Sequence, residues 1–202
     1  MSATASELAE RKTLLRAEAH ARRQAQENKD EISARICAAF LALPEHAAAN
    51  VVMWYVDVRT EVRTRQCLPA ALASGKKIVI PYCVAGELEL FHLENMDELA
   101  LGMYRILEPK PELRAVAAKR VAPAELDLVQ VPGVAFDRRG ARMGHGKGYY
   151  DKLLEHARPD ATLAALAFEC QLFDELPVAE HDVFMDKVVT ETQVVVGKGR
   201  PR

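Results

Sequence analysis

The sequence predicts an α/β fold of three layers, with helices flanking a largely parallel central sheet. Three observations lead there. Strand-like and helix-like stretches alternate through most of the chain. Several strand-like runs are apolar at nearly every position, as strands covered on both faces are. One such run hands over directly to a glycine-rich turn and then to a helix-like stretch.

The 202 residues suit a single domain, 1–202, with a sizeable core. Half are hydrophobic and 28% are charged, an ordinary globular balance. The net charge of −2 supplies no field to recruit nucleic acid or an anionic membrane. No aromatic-basic stripe marks a nucleic-acid module. No apolar run is long enough to span a bilayer, and the first residues lack the apolar centre of a signal peptide. Cys37, Cys67, Cys83 and Cys170 form no Cys-x-x-Cys pair and sit in apolar surroundings, which fits reduced thiols in the cytoplasm. The six histidines form no zinc signature.

Taken in order, residues 6–26 read as a helix rich in Ala, Leu, Arg and Glu. Lys12 and Arg16 are four apart on it and share a face, which by itself reads as solvated. Asp30 is placed to cap a second helix ending at Leu43, with Ile32, Ile36, Phe40 and Leu43 as its apolar stripe and Pro44 at its end. Residues 51–58 form the first strand. The loop 57–60 follows, and Thr64 is placed to cap a helix over 65–74 that Pro69 strains and Gly75 ends. Residues 77–81 give a second buried strand, and 88–93 alternate as an edge or antiparallel strand. Pro109, Pro111 and Pro123 bracket a surface connection. Residues 126–131 give a third strand, 149–156 a helix, 161–168 a fourth strand and 184–190 a last short one; 197–202 read as a frayed basic tail.

Chemistry concentrates between Val131 and Asp151, where five of the ten glycines fall. Gly144, Gly146 and Gly148 alternate with His145 and Lys147, and Arg142 stands two residues before. Glycines let the backbone approach a ligand closely, and successive N–H groups in such a turn make an anion-binding concavity. Arg142 and Lys147 add full charges, so the run reads as a phosphate cradle; a tight strand-to-helix connection would need the glycines alone. It is neither of two familiar loops. Gly148 replaces the hydroxyl residue of a P-loop, and Tyr149 stands where a dinucleotide fingerprint needs its third glycine.

The run Pro132-Gly133-Val134-Ala135-Phe136-Asp137, continued by Gly140-x-Arg142-Met143-Gly144-His145-Gly146-Lys147-Gly148-Tyr149-Tyr150-Asp151, closely resembles the 5-formyltetrahydrofolate cyclo-ligase family. Met143 replaces the leucine usual there, and the Asp57-Val58-Arg59-Thr60 loop departs from the family's small polar residues. The resemblance implies a Rossmann-like architecture and the ATP-dependent closure of 5-formyltetrahydrofolate to 5,10-methenyltetrahydrofolate through a phosphorylated formyl group. It implies ATP contacts from Lys12, Arg16, Arg142, Met143, Gly144, His145, Gly146, Lys147, Gly148, Tyr149 and Tyr150, with Arg142 and Lys147 serving the chemistry. Val56, Glu61 and Tyr104 would meet the folate together with His145, Gly146, Lys147, Gly148 and Tyr149. Asp151 and Asp186 would share Mg²⁺. A monomer is expected. A phosphate-handling isomerase and a catalytically silent folate or nucleotide binder remain as alternatives, separated from the first reading by an ATP requirement and by turnover.

Overall fold

Residues 52/53, 78/79, 128/129, 164/165 and 188/189 are adjacent pairs on five strands, and each pair sends one side chain to either side of a single sheet. Both sides are apolar, which is why these strands read as unbroken hydrophobic runs. The strands are β1 (Val51–Met53), β2 (Lys77–Val84), β7 (Leu128–Val131), β10 (Thr162–Leu166) and β12 (Lys187–Val189). They run parallel in the order β12-β10-β7-β1-β2. Antiparallel strands complete the sheet: β13 (Val194–Val196) beyond β12, and β3 (Glu87–Leu93) then β6 (Arg120–Val121) beyond β2. The computed structural model describes residues 5–102, 106–179 and 182–201.

On one face lie α2 (Lys29–Leu41), α3 (Pro44–Ala48) and α4 (Leu68–Leu72). Ile36, Phe40, Leu68 and Ala71 pack there with Trp54, Ile80 and Leu166. On the other face Leu153 and Leu154 of α6 (Tyr149–Glu155) cover Val129, Val131 and Leu163. The long α1 (Ala5–Ala25) lies outside these layers, where Ala19 packs on a small sheet of β11 (Leu172–Phe173), β8 (Ala135–Asp137) and β9 (Arg142–Met143). A ribbon of β4 (Leu99–Leu101) and β5 (Leu107–Pro109) leads into the connection the prolines bracket, which holds the short α5 (Pro111–Arg114) and the edge strand β6. Among the described residues no helix is long and apolar enough to cross a membrane.

Several elements depart from the sequence reading. Asp30 lies inside the first turn of α2, and Asn28, at φ 50°, precedes the helix; asparagine tolerates the left-handed region. Pro44 does not simply end a helix but starts α3 as its first residue, where its missing N–H costs nothing. The first strand stops at Met53, and Trp54 keeps one ladder bond, to Val79 O at 2.8 Å, before the chain turns away still buried. Thr64 caps nothing; its hydroxyl donates to Tyr55 O at 2.6 Å, and a 3₁₀ turn precedes α4, in whose first turn Pro69 sits unstrained. Residues 197–200 are not frayed. Gly197 N–H donates to Asp186 O, Lys198 N–H to Arg139 O, and the Arg200 guanidinium to the carbonyls of Leu154, Ala157, Arg158 and Ala161.

The chain order places the site. From β1 the chain moves to β2 on one side, whereas β7, β10 and β12 lie on the other. Connections leaving the C-terminal ends of β1 and β7 therefore diverge and open a crevice between them, where open α/β sheets take ligands.

Candidate active site

A cavity of about 620 Å³ fills that crevice. Residues 55–61 form one wall, Pro132 and residues 142–151 the other, and α1 closes it with Lys12, Arg16 and Arg23. Pro81, Tyr82, Leu88, Ile106 and Glu108 extend it along β2 and β3.

The glycine loop is one half. Gly146 and Gly148 adopt φ of 87° and 69°, which an L side chain resists, and the second leads into α6. Arg16 Nε donates to Gly144 O at 3.0 Å and so ties α1 to the loop. Arg142 is sheltered, its side chain 5% exposed. It pairs with Asp151, donates to Pro132 O at 3.3 Å and leaves its buried Nε without a partner among the described residues. Gly133 makes room for this: a Cβ there would stand 2.4 Å from the Phe136 ring and 3.1 Å from Arg142 Cγ. The Lys147 ammonium lies 5.7 Å from the centre of the Tyr149 ring. Tyr150 lines the cavity with Arg142 5.9 Å above its ring, and its phenol is pushed upward by desolvation and the nearby Glu61.

The facing half is built on Glu61. It is 8% exposed, and its Oε2 accepts the Val58 N–H at 3.0 Å, which turns the loop back on itself. Its Oε1 is 3.6 Å from His145 Nε2 across the cavity. The His145 and His20 rings are 5.3 Å apart. Burial first, then Arg23, His145 and Arg59, depress the His20 pKa and favour its neutral ring. Val56 is buried in the same wall. Tyr55 lies beneath it with its hydroxyl 3.4 Å from Val62 O, and burial raises its phenol pKa.

Lys12, Arg16, Val56, Glu61 and the whole run from Arg142 to Asp151 line this one cavity. Met143 contributes backbone, because its side chain packs with Ala19 and Leu176. Tyr104 lies outside the described residues. Asp186 is not brought to the cavity. It heads β12, where its Oδ2 accepts the Leu163 N–H at 2.8 Å and its Oδ1 is pressed against Gly199. The carboxylate that reaches the wall is Asp182, four residues earlier, which accepts Lys12 Nζ at 2.8 Å and the Ala179 N–H at 2.7 Å. Sequence reasoning assigns Asp182 no role. Arg23 was missed although it lies seven residues after Arg16, two helical turns along the same face. Trp54 belongs to the core, 0% exposed, and Tyr82 to the cavity.

The fold and cavity define an α/β protein that holds an anion-cradling loop opposite a sheltered carboxylate, suited to a ligand with phosphates at one end and N–H donors at the other. The model of the 5-formyltetrahydrofolate cyclo-ligase family matches residues 3–191, and the chain belongs to that family. The chain is 43% identical over 154 residues to the 5-formyltetrahydrofolate cyclo-ligase of Mycolicibacterium smegmatis, covering 74% of this chain and 77% of that one. It is 30% identical over 172 residues to the Escherichia coli K12 protein of the same name, covering 83% and 92%. The solution structure of 5,10-methenyltetrahydrofolate synthetase from Aquifex aeolicus superposes with a TM-score of 0.80, at 30% identity and 95% coverage of each chain.

Proposed function

We propose that the protein converts 5-formyltetrahydrofolate to 5,10-methenyltetrahydrofolate, consuming ATP with Mg²⁺ and releasing ADP and phosphate. The observation that carries this reading is the opposition, across one cavity, of the cationic glycine loop and the Glu61 carboxylate.

The residues present fit a magnesium nucleotide. Lys12, Arg16, Arg142 and Lys147 surround a backbone cradle, and the buried Arg142 Nε is left over for an acceptor. Asp151 and Asp182 are hard oxygen donors lining the same cavity, and Mg²⁺ is commonly held by one or two carboxylates with phosphate oxygens and water completing its shell. Bound there, Mg²⁺ would offset phosphate charge. Each carboxylate already holds a cation, Asp151 that of Arg142 and Asp182 that of Lys12. With both signs of charge supplied, Lys12 and Arg142 would turn to phosphate oxygens and Asp151 and Asp182 to the metal.

The chemical difficulty is the formamide oxygen, which leaves poorly. Transfer of the γ-phosphoryl group to that oxygen converts it into phosphate in waiting. N10 of the folate then attacks the formyl carbon, its proton is lost, and the C–O bond breaks as phosphate leaves. Phosphoryl transfer asks a protein chiefly for positioning and charge stabilisation. Arg142 and Lys147 would neutralise the moving phosphoryl oxygens, and Lys12 and Arg16 the remainder. Glu61 would accept two N–H bonds from the 2-amino-4-oxo pterin edge, as an ionised carboxylate is able to. Val56 would lie under the ring and Tyr149 beside it. We take the enzyme as a monomer, testable by sedimentation, and as cytoplasmic, a reading its four free cysteines support and cell fractionation tests.

The test is absorbance of the methenyl product in the near ultraviolet. Growth of that band with 5-formyltetrahydrofolate, ATP and Mg²⁺ together, and not when either ATP or Mg²⁺ is withheld, is the expected result. No band from folded protein in the complete mixture overturns the assignment.

A further inference from the structure

The loop carrying Glu61 and the floor beside Pro132 come from chain segments about seventy residues apart, and one side chain bridges them. Arg23, on α1, is 3% exposed. Its Nε donates to Thr60 Oγ1 at 2.9 Å, one residue before Glu61. Its Nη1 donates to Gly133 O at 3.3 Å, a carbonyl that also receives Gln171 Nε2 at 3.1 Å. Its Nη2 lies 3.5 Å from His20 Nδ1. Burial depresses the guanidinium's pKa, and the nearest opposing influence is the charge of Glu61. A buried guanidinium is costly unless hydrogen bonds and a counter-charge offset it. Arg23 spends its donors on the two segments that frame the Glu61 side of the cavity.

We propose that Arg23 is a positioning residue for the folate: it sets the Glu61 loop against the Pro132–Gly133 floor, so that the carboxylate meets the N–H edge of the pterin at the right height and angle. This rests on the reading of Glu61 as the pterin acceptor. The two groups to which it donates, Thr60 and Gly133, lie beside the folate half of the cavity. Lys12 and Arg16, nearer the start of α1, face Asp182 and Gly144 instead. Loss of Arg23 should therefore weaken one substrate and spare the other, which a residue needed only for folding would not do. The role depends on a planar fork that reaches two acceptors at once, so lysine is a poor replacement.

The experiment is steady-state kinetics on Arg23→Met, Arg23→Lys, Glu61→Gln and the Arg23→Met/Glu61→Gln double variant, with circular dichroism to confirm folding. Arg23→Met is expected to raise the KM for 5-formyltetrahydrofolate about tenfold, the scale of a lost charge-assisted hydrogen bond, with the KM for ATP unchanged. Arg23→Lys should recover little of it. The double variant should be little worse than Glu61→Gln alone, since residues acting through one another are not additive. A similar rise in both KM values, or effects that multiply in the double variant, overturns the proposal. If Glu61→Gln itself leaves the folate KM unchanged, the reading of Glu61 falls, and the proposal with it. Should Arg23→Met fail to fold, Thr60→Val removes one acceptor alone; a selective rise in folate KM supports the bridge, and an unchanged value refutes it.

Discussion

At the scale of single residues, the cavity holds charges that are already paired. Asp151 and Asp182 hold Arg142 and Lys12, so under the proposed function a bare metal ion would compete with a protein cation for each. Calorimetry should find Mg²⁺ binding at least about tenfold tighter with a non-hydrolysable ATP analogue present, a coupling of ordinary size between two ligands; equal affinity with and without the analogue would refute the exchange. Asp151→Asn should lower turnover by about a hundredfold or more, in the range for groups that hold charge at a transferring phosphoryl. Its thermal midpoint should barely change, because the Asp151 side chain is 48% exposed and such pairs add little stability. Asp182→Asn and Asp186→Asn should differ in kind. The first should lose activity and keep its stability. The second should lose stability, because Asp186 anchors the Leu163 amide at the start of β10 and abuts Gly199.

At the scale of elements, packing decides what loops may do. Phe40 is 0% exposed on α2 and meets the Trp54 ring edge-on at 5.3 Å and the His46 ring at 5.4 Å. Phe40→Ala should cost about 3–5 kcal/mol in urea denaturation, the usual result of emptying an aromatic site in a core. Gly133→Ala should cost both activity and stability, since its Cβ would meet the Phe136 ring at 2.4 Å and push the cavity floor against Arg142. The elements the sequence exposed best were those with a plain mark: the apolar runs of the Lys77–Val84 and Leu128–Val131 strands, the alternation of Glu87–Leu93, and α1 with its helix-forming composition. Residues 54–58 read as strand because they are nearly as apolar as one, yet the chain leaves the ladder after Trp54, and Tyr55, Val56 and Val58 line the site. Hydrophobicity reports burial, and burial there serves a pocket. Thr64 and Asp30 show the same limit, for a residue able to cap a helix is equally able to bond a distant carbonyl or sit within the first turn.

At the scale of the whole molecule, protonation opposes folding on the acid side. His20, His46 and His92 all have lowered pKa values, in each case chiefly through burial. Below the ordinary value of 6.5 the unfolded chain binds protons that the folded chain refuses, so stability is full above that pH and falls as pH drops through it. Asp127 adds a loss at lower pH. Burial alone would raise its carboxyl, but the Val51 and Asn50 amides and Arg158 outweigh that and hold it below the usual range, so its contribution disappears as it protonates. The thermal midpoint should accordingly be lower at pH 5 than at pH 7.5, and less so in His46→Asn; a midpoint constant over that interval would refute the assignment.

The same scale explains what of the site was legible. The glycine run announced itself because close backbone approach leaves a mark in composition, and Glu61 was found by likeness to the family. Arg23, Asp182 and Tyr55 were not, since their roles arise where α1, the segment before β12 and the exit from β1 converge, which no local pattern records.

Arg200 gives this convergence a dimension in time. A chain is made from its N-terminus and folds as it emerges. The guanidinium that fastens the carbonyl end of α6 belongs to a residue synthesised 46 positions after Leu154. The sheet strands and the glycine loop are thus in hand before the clasp behind them exists. Before Arg200 arrives, those carbonyls lack this donor, and Leu153 and Leu154 are what seat α6 on the sheet.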